Sequence, residues 1–307
     1  MSDATRKPAE YQKDGLRLRL IGAPADLAPY IAGIYRTEVE EGVVVEDWLP
    51  PEEGNLRTGR GAVYEAAPGD GEITSVPPVV ISGPSNRVTR LRIGGGKYWG
   101  IGLTPAGWSR IVRSPAHQFA NRFVDIDDTN VSAELSLMLR TLDDEVEAPE
   151  DAAELVGGTL RGLLGKRPPS ESTIHAVHLS LVSEDAIAVG PIANMAGMVP
   201  RTFERFCKRH FGFGPQVLLK RQRFLRSLAK YMLDPSMKWI NSLDTHYWDQ
   251  AHFIRDFRAT MNMTPSEYAA LPHPVVKAAV SVISASTRVA MHGLYHPQRD
   301  LETETGL

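Results

Sequence analysis

The stretch VGPIANMAGMVPRTFERFCKRHFGFGP, residues 189–215, decides how the chain folds. Pro191 can open a short helix, because a first-turn residue needs no N–H donor. Val189, Ile192, Ala193 and Ala196 can cover one face of that helix. Gly197 admits the left-handed turn that ends a helix, and Pro200 opens the next one. In the second helix Phe203, Phe206, Cys207 and His210 fall at i, i+3, i+4 and i+7, which makes a core stripe. Arg201, Glu204, Arg205 and Lys208 repeat that spacing on the opposite face. A short helix, a glycine turn and a second helix with a basic outer face form a layout that fits a major groove. Arg can bond guanine O6 and N7 with two donors, and Glu can accept from cytosine N4. Lys208 and Arg209 lie further along, where phosphate contacts are expected.

Working outward, Pro215 to about Leu233 predicts a long amphipathic helix with a stripe of Leu218, Leu225, Leu228, Ala229 and Met232. Lys220, Arg221, Arg223, Arg226 and Lys230 fall outside the stripe and are expected to be available, Arg226 to a phosphate. Such a helix can hold two units at a fixed separation. A second unit then runs from Lys238 to Tyr268, KWINSLDTHYWDQAHFIRDFRATMNMTPSEY. Asp249 is a good N-cap. Phe253 and Phe257, one turn apart, should face the core. Ala251, Ile254, Arg255 and Arg258 share the other face, with Gln250 at its N-terminal edge. Gln can pair with adenine N6 and N7, and Ala or Ile can touch a thymine methyl.

Charge supports the same region. The 307-residue chain carries a net charge of −3, which says little by itself. Residues 200–230, however, hold nine Lys and Arg and a single acid, Glu204, in an otherwise acidic protein. A local excess of that size is a candidate footprint for a polyanion.

Upstream, residues 17–125 are rich in Gly and Pro, with short apolar runs between turn signals. RLRLIG (17–22), GVVVEDWLP (42–50), GAVYEA (61–66), EITSVPPVVISG (72–83), RVTRLRIGGG (87–96) and YWGIGLTP (98–105) are expected strands of a barrel or sandwich. Gly94, Gly95 and Gly96 are expected to form a hairpin turn between the last two. SAELSLMLRTLDDEV (132–146) and DAAELVGGTLRGLLG (151–165) show helical periodicity. KRPPSES (166–172) has the composition of a linker. Residues 1–15 are expected to be a loose tail.

Several classes of protein are excluded or disfavoured. The lone Cys207 allows no intrachain disulfide and no zinc finger. No run reaches the length of a membrane helix; the best, Val275 to Met291, is interrupted by Lys277 and Arg288. The polar N-terminus lacks an apolar signal core, so a cytoplasmic location is expected. Residues 1–170 hold one histidine, His117, too few for a His-rich metal site on the strands. No nucleophile elbow or paired-His zinc helix is present, so no enzyme, metal or cofactor is expected.

GMVPRTFERFCKRHFGFGP and DQAHFIRDFRATMNMTPSEY resemble the paired signatures of AraC/XylS-type transcription regulators. The resemblance covers residues 173–271 and implies two helix-turn-helix units joined by one long helix, with their recognition helices in successive major grooves. It places Arg201, Glu204 and Arg205, and in the second unit Gln250, Ala251 and Arg255, at base-facing sites. Lys208, Arg209, Arg226 and Arg258 are the expected phosphate contacts. PADLAPYIAGIYRTEVEEG with GIGLTPAGWSRI resembles the cupin-like sensor domain of some family members, without naming a ligand.

The expected fold is α+β. A β-rich, cupin-like sensor or dimerisation domain (1–130) precedes a helical linker region (131–172), an all-α DNA-binding domain (173–271) and a C-terminal tail (272–307) without an assigned role. Expected partners are double-stranded DNA, a small-molecule effector, a second copy of the chain and, indirectly or transiently, RNA polymerase. The membrane is not among them. The alternative is a cupin-like small-molecule-binding or redox-responsive protein that uses Cys207 and has a degenerate second unit.

The sequence also departs from the family pattern. Val199 stands where a Ser N-cap is usual, a loss of about 1 kcal/mol. Cys207 replaces an aromatic core residue, His246 stands where a turn glycine is common, and LDTH replaces small, apolar helix residues.

Overall fold

A computed structural model describes residues 9–184, 186, 188–234 and 239–287. Lys238, and the part of the C-terminal tail from residue 288 onward, lie outside the described residues. The N-terminal part is one antiparallel sheet of nine strands. They are β1 (Ala9–Lys13), β2 (Leu16–Ile21), β3 (Ile31–Leu49), β4 (Asn55–Gly61), β5 (Tyr64–Pro68), β6 (Thr74–Ser75), β7 (Val79–Ser82), β8 (Thr89–Leu103) and β9 (Phe123–Asp125). The strands run in the order β1-β2-β3-β8-β4-β7-β9, with β5 also on β8 and β6 on β5. Most of the expected strands lie where the apolar runs between turn signals put them. The loose tail is corrected in part: Ala9–Lys13 pairs with Leu16–Leu20, because Asp14 and Gly15, both at positive φ, close a tight hairpin.

The expected hairpin at Gly94–Gly96 is also corrected. β8 runs straight through the three glycines, pairing Gly96 with Val39 and with Gly61. The glycines serve close approach rather than reversal. A Cβ on Gly96 would run into the Arg60 carbonyl, and one on Gly95 would press on the Glu41 backbone. The register of β3 against β8 shifts between Val39 and Val44, which marks a bulge. Such a bulge lets two long strands bend together.

Each face of the sheet has its own cover. Ile34, Leu56, Ile81, Trp99 and Ile101 line one face and pack under Leu135, Met138, Leu139, Leu142, Val156 and Leu160. Those side chains belong to α2 (Ala133–Asp144) and α3 (Pro149–Leu164). Much of the expected linker region is therefore core of the N-terminal part. The other face carries Leu16, Leu18, Val39, Val45, Leu91, Ile93 and Tyr98.

Between sheet and α2, Pro105–Gly107 forms a single turn, α1, that runs into a π turn at Trp108–Val112. The helical part comprises α4 (Glu171–Val182), α5 (Val189–Met195), α6 (Pro200–Phe211), α7 (Pro215–Leu233), α8 (Trp239–Ser242), α9 (Gln250–Met261), α10 (Pro265–Ala269) and α11 (Pro274–Thr287).

In the C-terminal tail, which the sequence left without a role, α11 packs on β1, β2 and β3 with Val276, Ala278, Val280 and Val282 buried. Among the described residues no helix is long and apolar enough to cross a membrane.

Candidate nucleic-acid interface

The first unit forms as its sequence dictates. α5 ends at Met195, Gly197 takes φ +65, and the Met198 N–H donates back to the Ala193 carbonyl. Pro200 opens α6 behind Val199, which offers no side-chain cap and is exposed. Phe203, Cys207 and Phe211 are buried against Ile174, Val177, Ile192 and Leu218, while Phe206 and His210 are half-buried. On the other side Arg201, Arg205, Lys208 and Arg209 are all exposed. Glu204 is half-buried and paired within its own helix, 3.1 Å from Lys208 Nζ. Lys208 therefore divides its charge between that carboxylate and any phosphate.

The second unit is held by buried charge. Asp256 on α9 takes Lys220 Nζ and Arg223 Nη2 from α7, each at 2.9 Å. Asp244, before α9, takes Arg226 Nε from α7, the His246 N–H at 3.0 Å and His246 Nδ1 at 2.7 Å. Its own N–H donates to Ser227 Oγ at 2.8 Å. Burial pushes the Asp244 carboxyl up, but its bonds from Arg226 and His246 outweigh that and hold it below the usual carboxylate range. Arg226 is thus corrected: it is buried in an ion pair and cannot reach a phosphate in this arrangement. Arg221 is corrected too, being buried with Nη1 donating to the Ser85 carbonyl at 3.2 Å. A long helix packed on both sides has little outer face left. Hydrophobic spacing alone therefore overstated how much of α7 faces water.

The same network explains His246, the departure from a turn glycine. Its ring is an anchor for Asp244, and its φ is not positive. The helix preceding this turn is short, α8 spanning four residues. Beyond the turn, Asp249 caps α9 by accepting the His252 N–H at 2.7 Å. Phe253 and Phe257 are buried, and Gln250, Ala251, Arg255 and Arg258 are exposed. Asn262 ends the helix at φ +56, and a Thr264–Glu267 capping box starts α10.

The described arrangement offers little to the redox alternative. Cys207 is fully buried, and burial, with Glu204 nearby, pushes its thiol up to about 12. A thiol in that state is a poor nucleophile. Among the described residues no cluster of three or more His, Cys, Asp or Glu is placed to hold a metal ion.

Both units also touch loops and turns of the N-terminal part. His210 Nδ1 lies 2.8 Å from Ser109 Oγ, and His178 Nε2 lies 3.1 Å from Glu53. Glu171 on α4 accepts from Tyr30 at 2.9 Å and pairs with Arg110 and Arg167. The Val88 N–H donates to the Thr260 carbonyl at the end of α9, at 2.7 Å. Sequence reasoning missed these contacts, because polar residues spaced far apart in the chain carry no periodic signal.

Two helices that each follow a tight turn and present polar side chains outward are the layout of a helix-turn-helix DNA-binding protein. Residues 192–270 match the family model described as a helix-turn-helix domain. No curated protein matches the chain. Among solved structures it is similar to ToxT from Vibrio cholerae, at 10% identity over 77% of this chain and 96% of that one, with a TM-score of 0.41. It is similar to a ToxT structure with unsaturated fatty acid bound, from Vibrio cholerae strain SCE256, at 10% identity, 77% and 93% coverage and a TM-score of 0.38. A third, the AraC-like transcriptional activator CuxR, matches at 12% identity, 71% and 83% coverage and a TM-score of 0.29.

Proposed function

We propose that this protein is a sequence-specific transcription regulator that reads double-stranded DNA with α6 and α9. One observation carries the reading: the exposed charges of these helices are the ones the two units need, while the neighbouring charges are consumed internally. Arg201, Arg205, Gln250, Ala251 and Arg255 face water, whereas Arg221 and Arg226 are buried and Lys220 and Arg223 are paired with Asp256. Arg201, Glu204 and Arg205 read bases in one groove, and Gln250, Ala251 and Arg255 in the next. Lys208, Arg209 and Arg258 hold phosphates.

The N-terminal sheet domain is the controlling part in this proposal. It acts by taking up a small-molecule effector or by pairing with a second copy of the chain. Contact with RNA polymerase is indirect or transient, the protein works in the cytoplasm, and it performs no catalysis.

The test is selection of bound duplexes from a randomised pool by the full chain, followed by mobility shifts at several salt concentrations. Arg205→Ala should relax the preference at one position, each lost bidentate contact being worth about 1–3 kcal/mol. Recovery of no preferred sequence by the wild-type chain would sink the proposal.

A further inference from the structure

Trp248 is the residue that the fold leaves without a purpose. Its side chain is 92% exposed. The other four tryptophans are covered: Trp99 and Trp108 are buried, and Trp48 and Trp239 are half-buried. An indole in water forgoes one of the largest apolar burials a side chain can make.

The exposure does not come from slack. Tyr247, one residue before, is buried, packs edge-on to Phe253 at 5.3 Å and lies under the Arg223 guanidinium at 4.6 Å. Asp249, one residue after, is fixed by its cap on the His252 N–H. The backbone of Trp248 is therefore held on both sides, and its ring is presented outward.

Local packing offers the ring no alternative place. The residue before an N-cap commonly folds onto the fourth helical residue, here Phe253. Phe253 is already closed in by Tyr247, Trp239 and Phe257. Trp248 instead stands at the entrance of α9, next to the exposed Gln250 and Ala251.

We propose that Trp248 contacts DNA directly and sets part of the sequence preference of the second unit. The inference rests on the reading of α9 as a base-reading helix. The occupant it commits to is the duplex. Arg255 and Arg258 on the same helix favour a polyanion, and a groove wall offers an indole both flat deoxyribose and thymine methyl groups. The indole N–H, a donor only, meets acceptors at phosphate oxygens or base edges.

The experiment uses the full chain and the duplex that the wild-type protein selects from the randomised pool. Trp248→Ala should leave the urea unfolding midpoint unchanged, because the ring is 92% exposed. It should weaken the selected duplex about tenfold, within the range for one specific contact. It should also leave binding to an unrelated duplex, and the salt slope, as in the wild type. A repeat selection with this variant should show relaxed preference beside the positions altered by Arg255→Ala. Trp248→Phe should retain part of the affinity and lose the shift in tryptophan emission that the selected duplex induces in the wild type. Wild-type affinity and preference in Trp248→Ala, with Arg255→Ala impaired, would overturn the role of Trp248 and leave the DNA reading intact. Failure of the wild-type chain to select any sequence would overturn both.

Discussion

Asp47, on a strand of the N-terminal sheet, caps the helix that follows the second helix-turn-helix unit, and His273 closes over the same carboxylate. Oδ2 accepts the N–H groups of Val275 and Val276 at 2.8 and 2.9 Å, and Oδ1 lies 3.0 Å from His273 Nδ1. The other ring nitrogen lies 2.6 Å from the Tyr268 carbonyl, and the ring stacks on Tyr268 at 3.8 Å. Both partners are buried. A sheet residue and a helix start separated by more than two hundred positions are thus one structural unit, which joins α10 and α11 to β3.

Removal of one partner from such a site should be far more harmful than loss of a surface pair. Asp47→Ala leaves two helix N–H groups and a buried imidazole without their acceptor, and should lower stability by about 3–5 kcal/mol. His273→Ala should cost less than Asp47→Ala, since the cap on Val275 and Val276 survives. Denaturant unfolding of both single variants and the double variant checks this. The coupling between them should exceed about 0.5 kcal/mol, as residues in one network do.

Arg226 and Arg258 separate structure from recognition. Arg226→Ala leaves Asp244 buried without its cation, so the expected loss is about 3–5 kcal/mol of stability, seen in thermal or urea unfolding. Arg258→Ala, at an exposed position, should leave stability within about 0.5 kcal/mol. It should weaken all duplexes alike and reduce the salt slope by about one. An exchange of these two phenotypes would show that the buried ion pair opens when DNA binds.

Val199 offers a gain in stability. Its backbone is extended, at φ −67 and ψ 154, and it precedes a helix whose first-turn N–H groups receive no side-chain cap. Val199→Ser supplies the missing acceptor and should add about 1 kcal/mol, seen as a raised Tm. An unchanged Tm would mean that the first turn of α6 is satisfied by other means.

These residues also show what could be read from the sequence and what could not. Periodicity placed α2, α3, α6, α7 and α9, because each must bury a stripe and repeats apolar residues every three or four positions. It also placed Asp249, since capping is local. It misplaced Arg226, whose partner Asp244 comes from a loop beyond the next helix. It gave no hint of Asp47 with His273, which only the tertiary fold brings together. The three glycines at 94–96 misled for a different reason: the same lack of a Cβ that suits a turn also suits a strand pressed against backbone on two sides. Trp248 was visible in the sequence, but its exposure was not, because a tryptophan before a helix usually packs on it.

The contact between α6 and the π turn at Trp108–Val112 should be sensitive to acid. Burial, reinforced by Arg209, lowers the His210 imidazole from 6.5 to about 4, and its Nδ1 meets Ser109 Oγ across the boundary. Between those two values the unfolded chain binds a proton that the folded chain does not. Stability must therefore rise with pH through that window and fall as pH drops from about 6.5 toward 4. His175, also lowered by burial, contributes in the same direction. The carboxylates of Glu171, Asp244 and Glu267 are held low, so the stability they provide is lost as pH falls from their ordinary values of 4.5 and 3.8 downward, which overlaps only the acid end of the His210 window. Urea unfolding from pH 7 to pH 4 should show the slope in the wild type and a shallower one in His210→Gln, which keeps a polar group near Ser109 and cannot titrate. Equal slopes in the two proteins would mean that His210 is solvated well enough to protonate in place, and that the α6 contact with the π turn opens without unfolding.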